Sequence, residues 1–211
     1  SCRQRQRNYA KAMTAAVEAK KDKRLAAAKE SLSVALAQAS QSPEALEMDQ
    51  EVSQTIERVE QLLGDAYSQL SQARFDDTKN CIAEVEQLQA DNDTLSRLKG
   101  ELTETEATYA GSIQAAQEAE KKHDPATALA AVKDALTQCP ESPEAKSMAD
   151  RLERECNRVG ELIAAAETAT KAAKFDQASR QLADAEQSWP TKTGLDAAKR
   201  TLAQTQTTYT H

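Results

Sequence analysis

The 211-residue chain is 39 % apolar, only 3 % aromatic and 29 % charged, and much of its apolar share is alanine. Such a chain cannot fill one thick globular core, but it suits many thin helix–helix contacts, because alanine lets backbones approach closely and is the best helix former. The net charge of -7 disfavours nucleic acid and anionic membrane as main partners, and the interspersed acidic and basic residues read as a solvated surface.

Five Gly and five Pro among abundant Ala, Glu, Gln, Lys and Leu argue an all-α fold. Cys2, Cys81, Cys139 and Cys156 form no Cys-x-x-Cys pair. With only His123 and His211 beside them, no zinc-finger spacing arises. An even cysteine count permits disulfides, and their state is left open. No run of 18 apolar residues is present, so no membrane insertion is expected of this segment. The chain opens Ser1-Cys2-Arg3-Gln4-Arg5-Gln6-Arg7 without Met. Two readings of that start stand: an arbitrary boundary, or a cell-envelope or membrane-tethered protein whose signal or anchor has been removed, since a Ser-Cys start suits a lipoprotein cleavage site.

Taken in order, residues 1–8 are polar and basic and read as a frayed lead-in. Tyr9 to Ala19 carries small apolar residues at helical spacing, and Lys20 to Arg24 is a charged turn. A short helix over 25–38 places Ala28, Leu32, Ala35 and Leu36 on one face. Ser42 then suits an N-cap and Pro43 the first helical position, where its missing N–H is not needed. A long helix over 43–72 keeps Ala45, Met48, Val52, Val59, Leu62 and Ala66 in a seven-residue pattern, weakened by Gly64 by about 1 kcal/mol. Arg74-Phe75-Asp76-Asp77 ends it and caps a short helix over 76–89, with Cys81, Ile82, Val85 and Leu88 inward. Asp91, Asn92 and Asp93 supply a turn and a cap. A second long helix over 93–122 is built on Leu95, Leu98, Leu102, Tyr109, Ile113 and Ala116. His123-Asp124-Pro125 starts a short helix over 125–138, and Pro140, Ser142 and Pro143 mark its exit. A third long helix over 143–172 uses Ala145, Met148, Leu152, Val159, Leu162 and Ala166. Lys174-Phe175-Asp176 opens a fourth short helix ending near Trp189-Pro190. Gly194 and Leu195 begin a last helix.

Numbered modulo 50, the pattern aligns without gaps. Ala16, Ala66, Ala116 and Ala166 share a phase, as do Leu32, Ile82, Val132 and Leu182, and Ala35, Val85, Ala135 and Ala185. At an offset of 100 roughly 30 % of positions are identical, including Tyr9, Tyr109 and Tyr209, the Ser-Pro-Glu-Ala starts at Ser42 and Ser142, and Phe75-Asp76 with Phe175-Asp176. This describes one array over 1–211, made of four helical hairpins in two duplicated halves, 1–110 and 111–211.

The spacing of Ala128, Val132, Ala135 and Pro140, repeated by Ala178, Leu182, Ala185 and Pro190, resembles the second helix of a tetratricopeptide repeat. Ala116 and Ala166 match that family's small first-helix position, and Phe75 and Phe175 its helix-opening aromatic. The period of 50 rather than 34, and the absence of the first-helix Trp and Tyr, depart from it. The resemblance implies a scaffold that holds peptides or assembles complexes.

Helices of about 30 and about 14 residues span about 45 Å and about 21 Å. Unbroken long helices would give a staggered rod of three-helix bundles, similar in plan to a spectrin-type array. Long helices broken near Gly64 or Gly160 would give a curved solenoid with a groove. The sustained seven-residue spacing favours the unbroken form.

Nothing marks an enzyme, a cofactor or a metal site. His123-Asp124 reads as a turn and an N-cap. Asp91-Asn92-Asp93 lacks the Gly and distal Glu of a calcium loop. Glu101, Glu104 and Glu106 read as a solvated face. Trp189 reads either as a partner anchor or as a lid on the last bundle. No phosphate loop or Gly-x-Ser-x-Gly motif occurs. The expectation is a non-enzymatic scaffold with a protein or peptide partner. The alternative is a structural spacer, rod-like, tethered or self-associating.

Overall fold

The structure, a computed structural model, describes residues 2–90, 92–190 and 192–209. Among the described residues the chain is entirely helical and turn: α1 (Cys2–Lys21), α2 (Leu25–Gln38), α3 (Pro43–Ser71), α4 (Phe75–Leu88), α5 (Asp93–Lys121), α6 (Pro125–Gln138), α7 (Pro143–Lys171), α8 (Phe175–Ser188) and α9 (Leu195–Tyr209). The three complete long helices have 29 residues each, about 43 Å. The four short ones have 14 each. The 50-residue sequence period is thus a structural period of one long helix, one short helix and two tight joints.

The joints explain the boundaries. Short helices hand over to long ones at Ser42 and Ser142, whose hydroxyls accept from the N–H of Ala45 and Ala145 at 3.3 Å, with Pro43 and Pro143 next. Asn92 does the same for α5, accepting from Leu95 N–H at 2.9 Å; Asp91 lies outside the described residues. Long helices end in a different motif. Lys23, Ala73, His123 and Ala173 all have φ between 55° and 59°. Each donates to the carbonyl three residues back, and the residue after it donates five back: Arg24 to Ala19 at 2.8 Å, Arg74 to Gln69 at 2.9 Å, Asp124 to Ala119 at 3.0 Å and Lys174 to Ala169 at 2.9 Å. This left-handed closure satisfies two orphan helix carbonyls and turns the chain back into the short helix.

Two compact units result, Ser1–Glu104 and Thr105–His211. In the first, α1, α2 and the start of α3 enclose Ala16, Leu32, Ala35, Ala45 and Val52. The end of α3, α4 and the start of α5 enclose Val59, Leu62, Ala66, Ile82, Val85 and Leu98. So α3 gives its first half to one three-helix core and its second half to the next. Ala90 N–H donates to the Lys23 carbonyl at 3.1 Å, which seats the end of α4 on the start of α2. At the repeat-equivalent positions stand Pro140 and Pro190, which have no N–H to give. In the second unit the end of α7, α8 and α9 enclose Val159, Ile163, Ala166, Leu182, Ala185 and Leu202. Ile113, Ala116, Val132, Ala135, Ala145 and Leu152 are also buried there.

Within each unit the architecture is therefore the staggered three-helix form. The helices run unbroken through Gly64 and Gly160, so the broken-helix alternative is not adopted. Three further expectations are corrected. Residues 2–8 are not frayed but form the start of α1. The charged turn is shorter than expected, because Lys20 and Lys21 are helical. Arg74 at the α4 N-cap makes no side-chain cap bond. Asp76 and Asp77 lie inside the first turn, where Asp77 pairs with Arg74 at 2.7 Å and complements the helix dipole. At α4 the joint is closed by its backbone bonds alone. Finally, α9 starts two residues later than its equivalents, because Gly194 sits at φ 96°.

Candidate interaction surface

The residues singled out for chemistry resolve into structure. Asp124 caps α6, accepting from Thr127 N–H at 3.1 Å and Thr127 Oγ1 at 2.7 Å. Those bonds to Thr127 hold its carboxyl below the usual carboxylate range. His123 is the exposed left-handed joint residue beside it. Trp189 is 7 % exposed and belongs to the last core, with Lys192 Nζ 4.2 Å from its ring centroid, so it is a lid and not an exposed anchor. Glu101 lies 3.5 Å from Arg97 on the α5 surface. All four cysteines are free thiols; burial pushes Cys81 and Cys156 up from the ordinary thiol pKa. Among the described residues no group of His, Cys, Asp and Glu has the arrangement to hold a metal ion, and no helix is long and apolar enough to cross a membrane.

What remains is the surface of the joints and grooves, and here the repeats differ in an ordered way. Tyr9 shares a 2.6 Å hydrogen bond with Ser42, and Tyr109 a 2.8 Å one with Ser142. Burial raises the Tyr109 pKa, with the Ser142 bond opposing that rise. The intervening repeats carry Val59 with Asn92 and Val159 with Lys192 at the same two positions. A polar long-helix residue thus goes with a serine cap and an apolar one with another residue. The sequence displayed the matching tyrosines, but their 33-residue link to the capping serines needed the fold.

A second pair is kept with its polarity reversed. Lys20 pairs with Glu51 in the first unit. At the equivalent positions of the second, Glu120 pairs with Arg151 at 2.5 Å. Other surface pairs keep their sense, as with Lys99–Glu86 and Lys199–Glu186.

The groove between the end of each long helix and its short helix also differs between repeats. In the second repeat it is crossed by Arg58, whose guanidinium lies 2.7 Å from Glu84. The residue equivalent to Glu84 is Asp134 in the third repeat and Asp184 in the fourth, but Val34 in the first. Val34 is 49 % exposed. Around it α1 and α2 leave a cleft of about 330 Å³ lined by Asn8, Lys11, Ala12, Ala15 and Ser31.

Charge separates the same way, correcting the expectation of an interspersed surface. Residues 1–24 hold eight Lys or Arg against Glu18 and Asp22, whereas residues 25–106 hold six basic and 17 acidic side chains. Only beyond that are the two signs balanced. Composition totals concealed this, and counting by segment reveals it.

Comparison with protein-family models, with curated proteins and with solved structures finds no match.

Proposed function

We propose that this chain is a non-enzymatic protein-interaction scaffold of the tetratricopeptide-like kind. The observation that carries the reading is that four copies of one hairpin share their buried positions while exposed groove positions differ among the copies, one of them running Lys11, Gln61, Gly111 and Glu161. Ala28, Ala128 and Ala178 are all fully buried, as are Ala35, Ala135 and Ala185. A second groove position is a carboxylate in three copies, Glu84, Asp134 and Asp184, and Val34 in the first. Repeats that keep one backbone and diversify their exposed side chains supply recognition surfaces.

The test is quantitative affinity capture with the chain as bait. The control bait has the exposed residues of all four grooves exchanged among repeats and the cores untouched. A partner enriched on the native chain and lost on the control is expected; equal recovery on both ends the reading.

The unbroken 29-residue helices favour a second reading, a structural spacer. It requires an extended particle in solution, on the order of 100 Å for four staggered steps. Small-angle scattering from a compact particle would remove it.

A further inference from the structure

We infer that the groove between α1 and α2 is a docking site for an acidic amphipathic helix, which lies along it as a fourth helix against the first three-helix bundle. This rests on the scaffold reading and names its partner class. Three observations converge on the groove. Its floor is apolar and small, with Ala12, Ala15 and the half-exposed Val34. Val34 occupies the position at which the other repeats carry Glu84, Asp134 and Asp184, so the first repeat alone lacks a carboxylate there. Its α1 wall continues into Arg3, Arg7 and Lys11, spaced four apart and hence along one stripe of the helix. Among the described residues none of these three forms an ion pair, although Lys20 farther along α1 does.

The physical fit follows. An incoming helix sets one or two medium apolar side chains on Val34 and the alanines, where small residues allow close approach. Its carboxylates meet the Arg3, Arg7 and Lys11 stripe, which no groove acid neutralises. In the second repeat an entering helix would first have to displace the Arg58–Glu84 pair. A basic helix is disfavoured by the net positive charge of residues 1–24, and like charges brought together oppose a wrong partner.

The test is fluorescence anisotropy with three labelled peptides of about 18 residues, about five helical turns. They share one leucine stripe and carry Glu, Gln or Lys on the flanks. The expected order of affinity on the full chain is Glu, then Gln, then Lys. Val34→Glu, which installs the residue of the second repeat on an exposed position, is expected to weaken the Glu peptide about tenfold, or about 1.4 kcal/mol. Replacing Arg3, Arg7 and Lys11 together by Gln is expected to remove most of the difference between the Glu and Lys peptides. The proposal is overturned if no peptide binds, if the order by charge is absent, or if Val34→Glu leaves binding unchanged, since attraction to the basic stripe alone would then suffice. It is equally overturned if sedimentation shows a dimer that Val34→Glu dissociates, which would make a second copy the occupant. Co-sedimentation with vesicles containing about one-third phosphatidylserine that is insensitive to Val34→Glu would reassign the stripe to an anionic membrane. If capture of a partner survives Val34→Glu, the scaffold reading stands and only this site falls.

Discussion

At one residue in every repeat the backbone enters left-handed space, and that residue is never glycine. Lys23, Ala73, His123 and Ala173 adopt φ of 55° to 59° where an L residue is disfavoured by about 1–2 kcal/mol. The closing bonds of the joint, such as Lys174 N–H to the Ala169 carbonyl at 2.9 Å, hold the strained residue in place. Ala173→Gly removes the Cβ clash at the expense of a more flexible unfolded chain. It is expected to stabilise by about 0.5–1 kcal/mol, read as a raised urea midpoint at unchanged slope; a lowered midpoint would mean that the left-handed joint is not populated. Asp124, next to His123, adds a side-chain cap to the same joint. Asp124→Ala removes the α6 cap and is expected to destabilise by about 1 kcal/mol, with Asp124→Asn largely restoring it. The carboxyl is held below its unfolded pKa by Thr127. Its contribution is therefore fully present above about pH 3.9, the unfolded value, and is lost as pH falls through the lower folded value. The stability difference between wild type and Asp124→Ala should shrink across that acidic window and stay flat above it.

Among the elements, the helices were legible and the joints only in part. The seven-residue run of Ala45, Val52, Val59 and Ala66 predicts a long helix, and α3 is one, because a sustained apolar stripe gives a straight helix continuous packing on two successive bundles. The Ser-Pro starts at Ser42 and Ser142 placed the long-helix starts because serine capping is local chemistry. The ends expected at 72, 122 and 172 fall within one residue of those observed, but the left-handed closure itself gave no signal, since Lys23, Ala73, His123 and Ala173 are not glycine. The candidate groove was invisible for a related reason. Spacing puts Leu32 on the inward face and leaves Val34 off it, but only the fold shows Val34 exposed beside a cleft between α1 and α2. The two glycines inside long helices give a direct check on continuity. A Cβ built at Gly64 or Gly160 meets nothing within 4 Å, and both lie in regular helix. Gly64→Ala and Gly160→Ala should each stabilise by about 1 kcal/mol. Circular dichroism and denaturant titration of the single and double variants read this out. A loss of stability at either site would mean that the helix bends there and needs the glycine.

For the whole chain, the central problem is that two halves roughly 30 % identical offer each other's helices nearly equivalent partners. An array of near-copies is prone to docking the wrong copy, within one molecule or between two. The reversed ion pair would oppose that error. Correct docking gives Lys20 with Glu51 and Glu120 with Arg151. Exchanging the partners would set Lys20 against Arg151 and Glu120 against Glu51, two like-charge contacts in place of two attractive ones. Such repulsion specifies against an alternative assembly without adding much to the native one. The side chains are between 25 % and 52 % exposed, so each native pair is worth only about 0.5–1 kcal/mol after solvent screening. Two variants separate stability from specificity. Glu120→Lys alone places a lysine beside Arg151 and should destabilise by about 1 kcal/mol. Glu120→Lys with Arg151→Glu restores a pair, now in the same sense as Lys20–Glu51, and should return equilibrium stability to within about 0.5 kcal/mol of wild type. The double variant nevertheless loses the discrimination between halves. When it is refolded from denaturant at high protein concentration, size-exclusion chromatography should show a larger exchanged-dimer fraction than wild type, reduced by dilution during refolding. If the double variant refolds to monomer as fully as wild type, the reversal has no role in assembly and the pairs act only as local surface contacts.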